Sequence, residues 1–332
     1  MNRLPAIFLG LASMMMLHPA AHSLVDAQDR DDEARSKPTR TAPKYSPSVP
    51  PPTLSEVAYG DHQRHVLDFW KASSEGPAPV AFVIHGGAWK GGSKEWVNRF
   101  VDVNQLLNAG VSVVAINYRY VTQADPDATT PPVHAPLHDA ARALQFVRSK
   151  AGEWNLDSDK IGAAGGSAGA CSSLWLSFHD EMRDPGSPDT LSRESTRLQC
   201  AAVRGAQTTL DPKQMREWTP NSNYGAHAFG IKGKGFEAFY NSRTQILGWI
   251  NEYSPYALVS KDDPPVALYY TAKPALGKPQ KDPTHTSNFG VKLQEHCQAL
   301  GTECHLVHPG VATPEYATPT DFLIRQLTGK TP

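Results

Sequence analysis

Short apolar runs alternate with longer amphipathic segments through most of this chain. The apolar runs have the length and composition of strands buried on both faces of a parallel sheet. They cover residues 80–84, 111–117, 160–164, 200–206, 266–271 and 303–308. Helical periodicity is predicted near residues 96–108, 136–150, 168–178, 287–300 and 317–328. Residues 57–59 and 66–70 are expected to form an antiparallel pair ahead of them. The pattern predicts an α/β fold, with a mostly parallel central sheet and helices on both faces.

The segment from Thr208 to Ser254 interrupts this alternation. It is rich in glycine, asparagine and aromatic residues. We predict a small cap insertion over residues 208–254, above the carboxyl ends of the strands, where ligand sites of such folds lie. Its aromatic side chains either line an acyl or aryl pocket or pack the insertion onto the body of the domain.

The N-terminal residues have the pattern of a secretory signal. Arg3 precedes an apolar stretch, Leu4 to Leu17, that is too short to span a bilayer, and small residues follow. We predict a signal peptide over residues 1–23 and therefore a secreted or periplasmic protein, with no integral membrane segment after the signal is removed. A membrane anchor or a misassigned start codon is the alternative.

The next residues are polar, then charged, then proline-rich. Such a composition buries little apolar surface, so residues 24–52 are predicted to be a disordered linker. A single folded domain is expected over residues 53–330.

Composition limits the partners of this domain. The 332 residues contain 32 Lys and Arg against 33 Asp and Glu, a formal net charge of −1, so nucleic acid is not an expected partner. The chain has 4 cysteines. Cys297 and Cys304 are either a disulfide pair or buried free thiols. No Cys and His spacing is typical of a zinc site, and we expect neither a metal nor a cofactor.

The strand at 160–164 is followed by the motif GGSAG at residues 165–169 and then by a predicted helix. A serine on a sharp turn between a strand and a helix is the arrangement of a nucleophile elbow. The motif predicts Ser167 as the nucleophile and the Ala168 N–H as one oxyanion donor. By itself the motif also fits an ordinary glycine-rich loop.

A second motif stands upstream, where the strand at 80–84 ends in HGGAW, residues 85–89. Two successive glycines allow backbone N–H groups to turn toward a ligand, as in an oxyanion hole. Gly86 and Gly87 are therefore the candidates for the remaining oxyanion donor. Both motifs occur at carboxyl ends of predicted strands, which favours the catalytic interpretation of each.

These segments resemble the α/β-hydrolase superfamily of the carboxylesterase and lipase type, hormone-sensitive-lipase-like or feruloyl-esterase-like. The resemblance is carried by residues 85–89, 111–119, 138–147 and 157–169 and is poor in the last third of the chain. It implies the α/β-hydrolase fold, with nucleophile, acid and histidine in that order. It also implies hydrolysis of a carboxylic ester through an acyl-enzyme, the substrate being a small-molecule or polysaccharide-linked ester.

The acid and the histidine are not where that family keeps them. Lys273 stands where an Asp is expected, and no histidine follows Pro309-Gly310. The substitutes are Asp282 as the acid and His308 or His285 as the base. A histidine at a strand end is more often a surface or packing residue, and Asp282 before a proline also suits a plain turn.

Two functions therefore remain open. One is a secreted ester hydrolase with a displaced triad, and the other is a catalytically degenerate hydrolase fold that binds a ligand or partner. The two differ in one distance: the enzyme requires His285 or His308 within reach of the Ser167 hydroxyl.

Overall fold

The structure is a computed structural model that describes residues 44–125, 129–233 and 235–330. The predicted signal peptide and linker residues 24–43 lie outside the described residues. Within the described ranges, eight strands form one sheet in the order β1-β2-β4-β3-β5-β6-β7-β8. Their bounds are β1 Leu54–Ala58, β2 Val66–Trp70, β3 Ala78–Ile84, β4 Ser112–Ile116, β5 Leu156–Gly166, β6 Cys200–Arg204, β7 Val266–Tyr269 and β8 Cys304–Val307.

The first two strands run antiparallel to their neighbours, and β3 to β8 are parallel. Ten α-helices are described in the same residues. They are α1 Val103–Asn108, α2 His134–Ser149, α3 Ala151–Trp154, α4 Ala168–Phe178, α5 Pro212–Trp218, α6 Gly235–Asn241, α7 Leu247–Tyr253, α8 Pro255–Leu258, α9 Asn288–Leu300 and α10 Pro319–Thr328. A mostly parallel sheet with helices is what the alternation of strands and helices predicts. The architecture is the α/β-hydrolase fold that the resemblance implies.

The central strands are buried on both faces because helices cover both sides of the sheet. In β3, Val80 and Phe82 belong to one hydrophobic cluster, whereas Ala81 and Val83 belong to the other. Every residue of α4 is buried. The helix that follows the serine motif is thus held on all sides by the core.

The packed domain begins further toward the N-terminus than Thr53, the start expected from composition. The Tyr45 hydroxyl donates to Asp68 (2.5 Å), and its ring lies edge-on to Trp70. Val49 is buried, and the Trp70 indole N–H donates to the Pro50 carbonyl (2.8 Å). Residues of this segment therefore pack against β2, with Val49 in the same hydrophobic cluster as Trp70.

The predicted insertion consists of α5 to α7 and a 3₁₀ turn at Ala226–Phe229. Three of its aromatic side chains, Trp218, Phe229 and Phe239, are buried in the main hydrophobic cluster of the domain, and Trp249 is partly buried against it. They pack the insertion onto the body, which is the second of the two roles considered for them.

All four cysteines are buried and free. The pKa of Cys304 is raised well above its ordinary value, mainly by the contact with the Cys297 thiol and secondly by burial. Among the described residues there is no helix with the length and apolarity needed to cross a bilayer.

His85 follows β3 and is a buried histidine, 1% exposed. Its Nδ1–H donates to the Gly86 carbonyl (2.7 Å), its Nε2 accepts from Arg64 (3.2 Å), and its ring stacks on Tyr118 at 4.2 Å. Burial lowers the pKa of His85 from 6.5 to about 3, and the nearby Arg64 charge acts in the same direction. The ring is therefore neutral in the folded protein at any mildly acidic pH.

The buried neutral ring makes a testable contribution to acid sensitivity. Between pH 6.5 and about 3 the unfolded chain binds a proton at His85 that the folded chain does not. This contribution to stability is complete above pH 6.5 and is lost as the pH falls, by about 1.4 kcal/mol per pH unit at most. Denaturant unfolding at pH 7 and pH 5 should show a smaller loss for His85→Gln than for the wild type, and curves that run parallel above pH 7. An equal loss in both proteins would contradict this assignment.

Candidate active site

Ser167 occupies the sharp turn between β5 and α4. Its backbone has φ 53° and ψ −121°, a strained conformation for a residue with a side chain. Two backbone hydrogen bonds hold it there: the Ser167 N–H donates to the Arg204 carbonyl (2.9 Å), and the Cys171 N–H donates to the Ser167 carbonyl (3.0 Å). The turn aims the serine hydroxyl away from the sheet at the carboxyl end of its strands, as in a nucleophile elbow.

The glycines around the serine are required by close backbone packing. A Cβ atom on Gly169 would lie 2.1 Å from the Ile84 carbonyl oxygen, and one on Gly86 would lie 2.5 Å from the Gly166 carbonyl oxygen. Real Cβ atoms do not approach oxygen so closely. The loop after β3 therefore rests directly on the elbow, backbone against backbone.

That loop is itself strained over three consecutive residues, with φ 111° at Gly87, 55° at Ala88 and 52° at Trp89. The fully buried Trp89 ring fixes it, because its indole N–H donates to Ser172 on α4 (3.0 Å). Loop and nucleophile helix are thus tied together by a side chain as well as by packing.

Three backbone donors lie close to Ser167, because Ala168 follows it in the chain and Gly86 and Gly87 line the same cleft. In the part of the chain that the structure describes, the N–H groups of Gly86, Gly87 and Ala168 have no hydrogen-bond acceptor. The Ala168 N–H also lies at the N-terminus of α4, where the helix carries partial positive charge. Unpaired donors at such a place suit an oxyanion.

The histidine that reaches the serine is His285. Its Nε2 lies 2.9 Å from the Ser167 Oγ, and its Nδ1 lies 2.8 Å from the Asp282 Oδ2. With the proton on Nδ1, the ring donates to the carboxylate and accepts from the hydroxyl. The other Asp282 oxygen accepts from the backbone N–H groups of Thr284 (3.1 Å) and His285 (3.2 Å). Asp282, three residues ahead of the histidine, therefore closes a compact turn and orients the ring at once.

Partial burial alone would raise the pKa of Asp282, but the hydrogen bonds and the charge of His285 outweigh it and hold the pKa below its usual range. The carboxylate is therefore ionised at neutral pH. The side chains of His285 and Asp282 are 39% and 61% exposed, so solvent screens their interaction.

His308, the other candidate base, is not part of this arrangement. It follows β8, and its Nδ1 lies 3.1 Å from the Pro309 carbonyl oxygen. Val307 lines the cleft beside Ser167. The next residue, His308, does not line the cleft. No hydrogen bond joins His308 to Ser167 among the described residues, so proximity to the strand end was a misleading signal.

Two residues that support His285 were missed in the sequence. Gly205, at φ 58°, leaves room for the imidazole, since a Cβ there would lie 3.3 Å from the His285 ring. The buried Gln207 side chain donates to the carbonyls of Gly205 (3.1 Å) and Thr284 (2.7 Å). Both follow β6, and a polar residue just past a buried strand was the only available hint.

Ser167 and His285 open into a cleft of ≈ 530 Å³. Its remaining walls come from the 3₁₀ helix Lys94–Arg99 and the ends of β6, β7 and β8. The side chains on these walls are Trp96, Arg99, Phe100, Arg204, Tyr269 and Tyr270. No described residue of 208–254 lines the cleft, so the insertion does not supply its aromatic surface. Among the described residues there is also no cluster of side chains suited to a metal ion.

Comparison with known proteins finds ester hydrolases among the relatives of this chain. LipM of Mycobacterium tuberculosis, a probable carboxylic ester hydrolase, is 36% identical over 152 residues, covering 44% of this chain and 32% of LipM. A probable isoprenylcysteine alpha-carbonyl methylesterase of Arabidopsis thaliana is 29% identical over 143 residues, 43% of this chain and 28% of the relative. The kynurenine formamidase of Debaryomyces hansenii is 31% identical over 138 residues, 39% of this chain and 42% of the relative. The matches thus span less than half of the length of these relatives.

Solved structures share the fold. A truncated carbohydrate esterase from gut microbiota superposes with a TM-score of 0.59 at 18% identity, covering 80% of this chain and 90% of the other. Esterase 2 of Thermogutta terrifontis superposes with a TM-score of 0.55 at 20% identity, covering 78% and 82%. Residues 67–276 match the BD-FAE family model, which is more than half of the chain. The chain is therefore a member of the BD-FAE family, with an α/β-hydrolase fold of the carboxylesterase and lipase type.

Proposed function

We propose that this protein hydrolyses carboxylic esters through an acyl-enzyme on Ser167, with His285 as the base and Asp282 as its orienting acid. The single observation that carries the proposal is the unbroken hydrogen-bond chain from Ser167 through His285 to Asp282, at 2.9 and 2.8 Å. A serine hydroxyl is a weak nucleophile unless a base accepts its proton, and this chain provides one. The names of the related ester hydrolases support the class of reaction.

Each step uses a group already described. As the Ser167 oxygen attacks the ester carbonyl carbon, His285 Nε2 takes the hydroxyl proton. The carbonyl oxygen becomes an oxyanion, which the N–H groups of Ala168 and of Gly86 or Gly87 stabilise. His285 then gives its proton to the departing alcohol, leaving the acyl group on Ser167. A water molecule, deprotonated by the same histidine, releases the acid and restores the serine.

The remaining functional predictions are carried by sequence alone. A catalytically degenerate fold would lack a base at Ser167, and the contact with His285 weighs against it. Secretion and a polysaccharide-linked ester substrate remain predictions from the signal-like N-terminus and the family resemblance.

The nucleophile can be tested directly. Ser167→Ala should lose about 10⁴-fold or more in kcat on 4-nitrophenyl acetate, because the remaining site offers only oxyanion stabilisation. Intact-mass measurement should show one fluorophosphonate adduct on the wild type and none on the variant. A wild type that neither reacts with the probe nor cleaves the ester would sink the proposal.

The base can be tested against its matched alternative. His285→Ala should lose activity nearly as far as the serine variant does, whereas His308→Ala should retain it, since His308 does not contact Ser167. The reverse order of activities would transfer the role to His308.

Gln207 is a positioning residue, and its loss should affect kcat more than KM. In Gln207→Leu the loop carrying His285 loses its hydrogen bond at Thr284, so the ring is held less firmly toward the serine. We expect kcat to fall about tenfold with KM within about twofold, as for an interaction made only in the transition state. The matched control is Asn221→Ala, which removes an exposed tether of the same loop at Gln280. Equal effects of the two variants would show that Gln207 merely stabilises the loop.

A further inference from the structure

Two arginines face the cleft without a carboxylate partner. Arg99 ends the 3₁₀ helix, with its guanidinium 4.0 Å from the centre of the Trp96 ring. Arg204 ends β6, with its guanidinium 5.8 Å from the centre of the Tyr269 ring. Neither makes an ion pair within the described ranges, although Arg119, Arg142, Arg197, Arg216 and Arg243 all do. Arg64, Arg148, Arg183, Arg193 and Arg325 also lack an ion pair but donate to backbone carbonyls. The guanidinium groups of Arg99 and Arg204 make no hydrogen bond in the described residues, so they differ from all of these.

Arg204 is fixed next to the nucleophile by the backbone. Its carbonyl accepts the Ser167 N–H (2.9 Å), and it pairs with Gly166 across the sheet. Neighbouring strands lie about 4.8 Å apart, so the Arg204 side chain starts one strand away from the elbow. Arg204 and Ser167 also line the same cleft, so this charge is available to a substrate bound there.

A second cavity of ≈ 300 Å³ adjoins the cleft and shares Arg99, Phe100 and Arg204 with it. Its other lining side chains are mostly neutral and polar, including Asn98, Asn104, Gln105 and Thr320. Such amides and hydroxyls pair with hydroxyl groups, whereas an acyl chain would prefer apolar walls. The second cavity therefore suits the alcohol side of an ester.

Two carboxylates also lie along these walls. Asp282 is engaged by His285, and an Asp102 oxygen accepts the Gln105 N–H at the start of α1 (3.0 Å). Neither lies within ion-pair distance of either arginine in the described residues. The two arginines are therefore free to bind an external anion.

We propose that Arg99 and Arg204 form a subsite for a carboxylate on the alcohol part of the substrate, so that the preferred substrates are acyl esters of acidic, hydroxyl-rich sugars. The inference rests on the ester hydrolysis proposed above and deepens it. A guanidinium fork matches a carboxylate in two parallel hydrogen bonds, and the junction of the two cavities places it beside the leaving alcohol.

The test compares two acetyl esters that differ only at C6 of the sugar. That carbon is a carboxylate in acetylated methyl glucuronoside and a CH₂OH group in methyl glucoside acetylated at the same ring hydroxyl. For the wild type we expect kcat/KM to be about tenfold higher for the glucuronoside, as one charge-assisted pair at an exposed site would give. That ratio should approach one in Arg99→Gln/Arg204→Gln and should shrink with added salt. The matched control Arg216→Gln, whose side chain pairs with Glu237 outside both cavities, should keep the wild-type ratio.

Binding gives an independent readout. Methyl glucuronoside should bind Ser167→Ala more tightly than methyl glucoside does by calorimetry, and the difference should vanish when both arginines are replaced.

A wild type that cleaves both esters equally, or cleaves only 4-nitrophenyl acetate, overturns the acidic-sugar inference while leaving ester hydrolysis intact. A wild type that takes up no fluorophosphonate and cleaves no ester overturns the proposed function itself. A preference that survives in the double variant also overturns the assignment to these arginines.

Discussion

The contact on which the site depends is a backbone contact between the end of β3 and the first turn of α4. A Cβ on Gly169 would clash with the Ile84 carbonyl oxygen, and a Cβ on Gly86 would clash with the Gly166 carbonyl oxygen. Only glycine tolerates such an approach. Because two loops touch through their main chains, the oxyanion donors and the serine share one rigid unit. The strained φ values at Ala88, Trp89 and Ser167 persist since this packing leaves no relaxed alternative.

Asp282 and His285, the proposed acid and base, are held by a loop and not by close backbone packing. Asp282 and His285 share one loop after β7, instead of following two different strands as the family pattern implies. The loop is fixed by side-chain hydrogen bonds: from Gln207 to Thr284, between Asn221 and Gln280, and from Asn288 to Trp218 and Ala275. Acid and base are joined within one turn, so their mutual geometry is local, whereas their approach to Ser167 depends on these tethers.

The fold could be predicted from the sequence, and so could the part of the site formed by the Ser167 turn and the loop after β3. The part formed by the loop with Asp282 and His285 could be predicted only partly. Apolar runs, helical periodicity and the glycines around Ser167 are local signals whose meaning depends on neighbouring residues. His285 was one of two candidates because its approach to Ser167 joins residues 118 positions apart through a long, irregular loop. Gln207 carried only the weak signal of a polar residue just past a buried strand, and Gly205 carried none, since their roles exist only once that loop has folded back. The aromatics of 208–254 were ambiguous for a related reason: side-chain type does not tell a cavity wall from a core.

This division of the site has an energetic consequence. The oxyanion unit is buried in the hydrophobic core, so changing it perturbs folding and activity together. The Asp282–His285 pair is largely exposed and adds little to stability through its charges. The acid–base loop is therefore the part of the site where sequence can change with the least penalty to the fold. The proposed triad, with its acid and base away from their usual positions, fits that physical freedom, because the loop after β3 and the Ser167 turn have no comparable alternative.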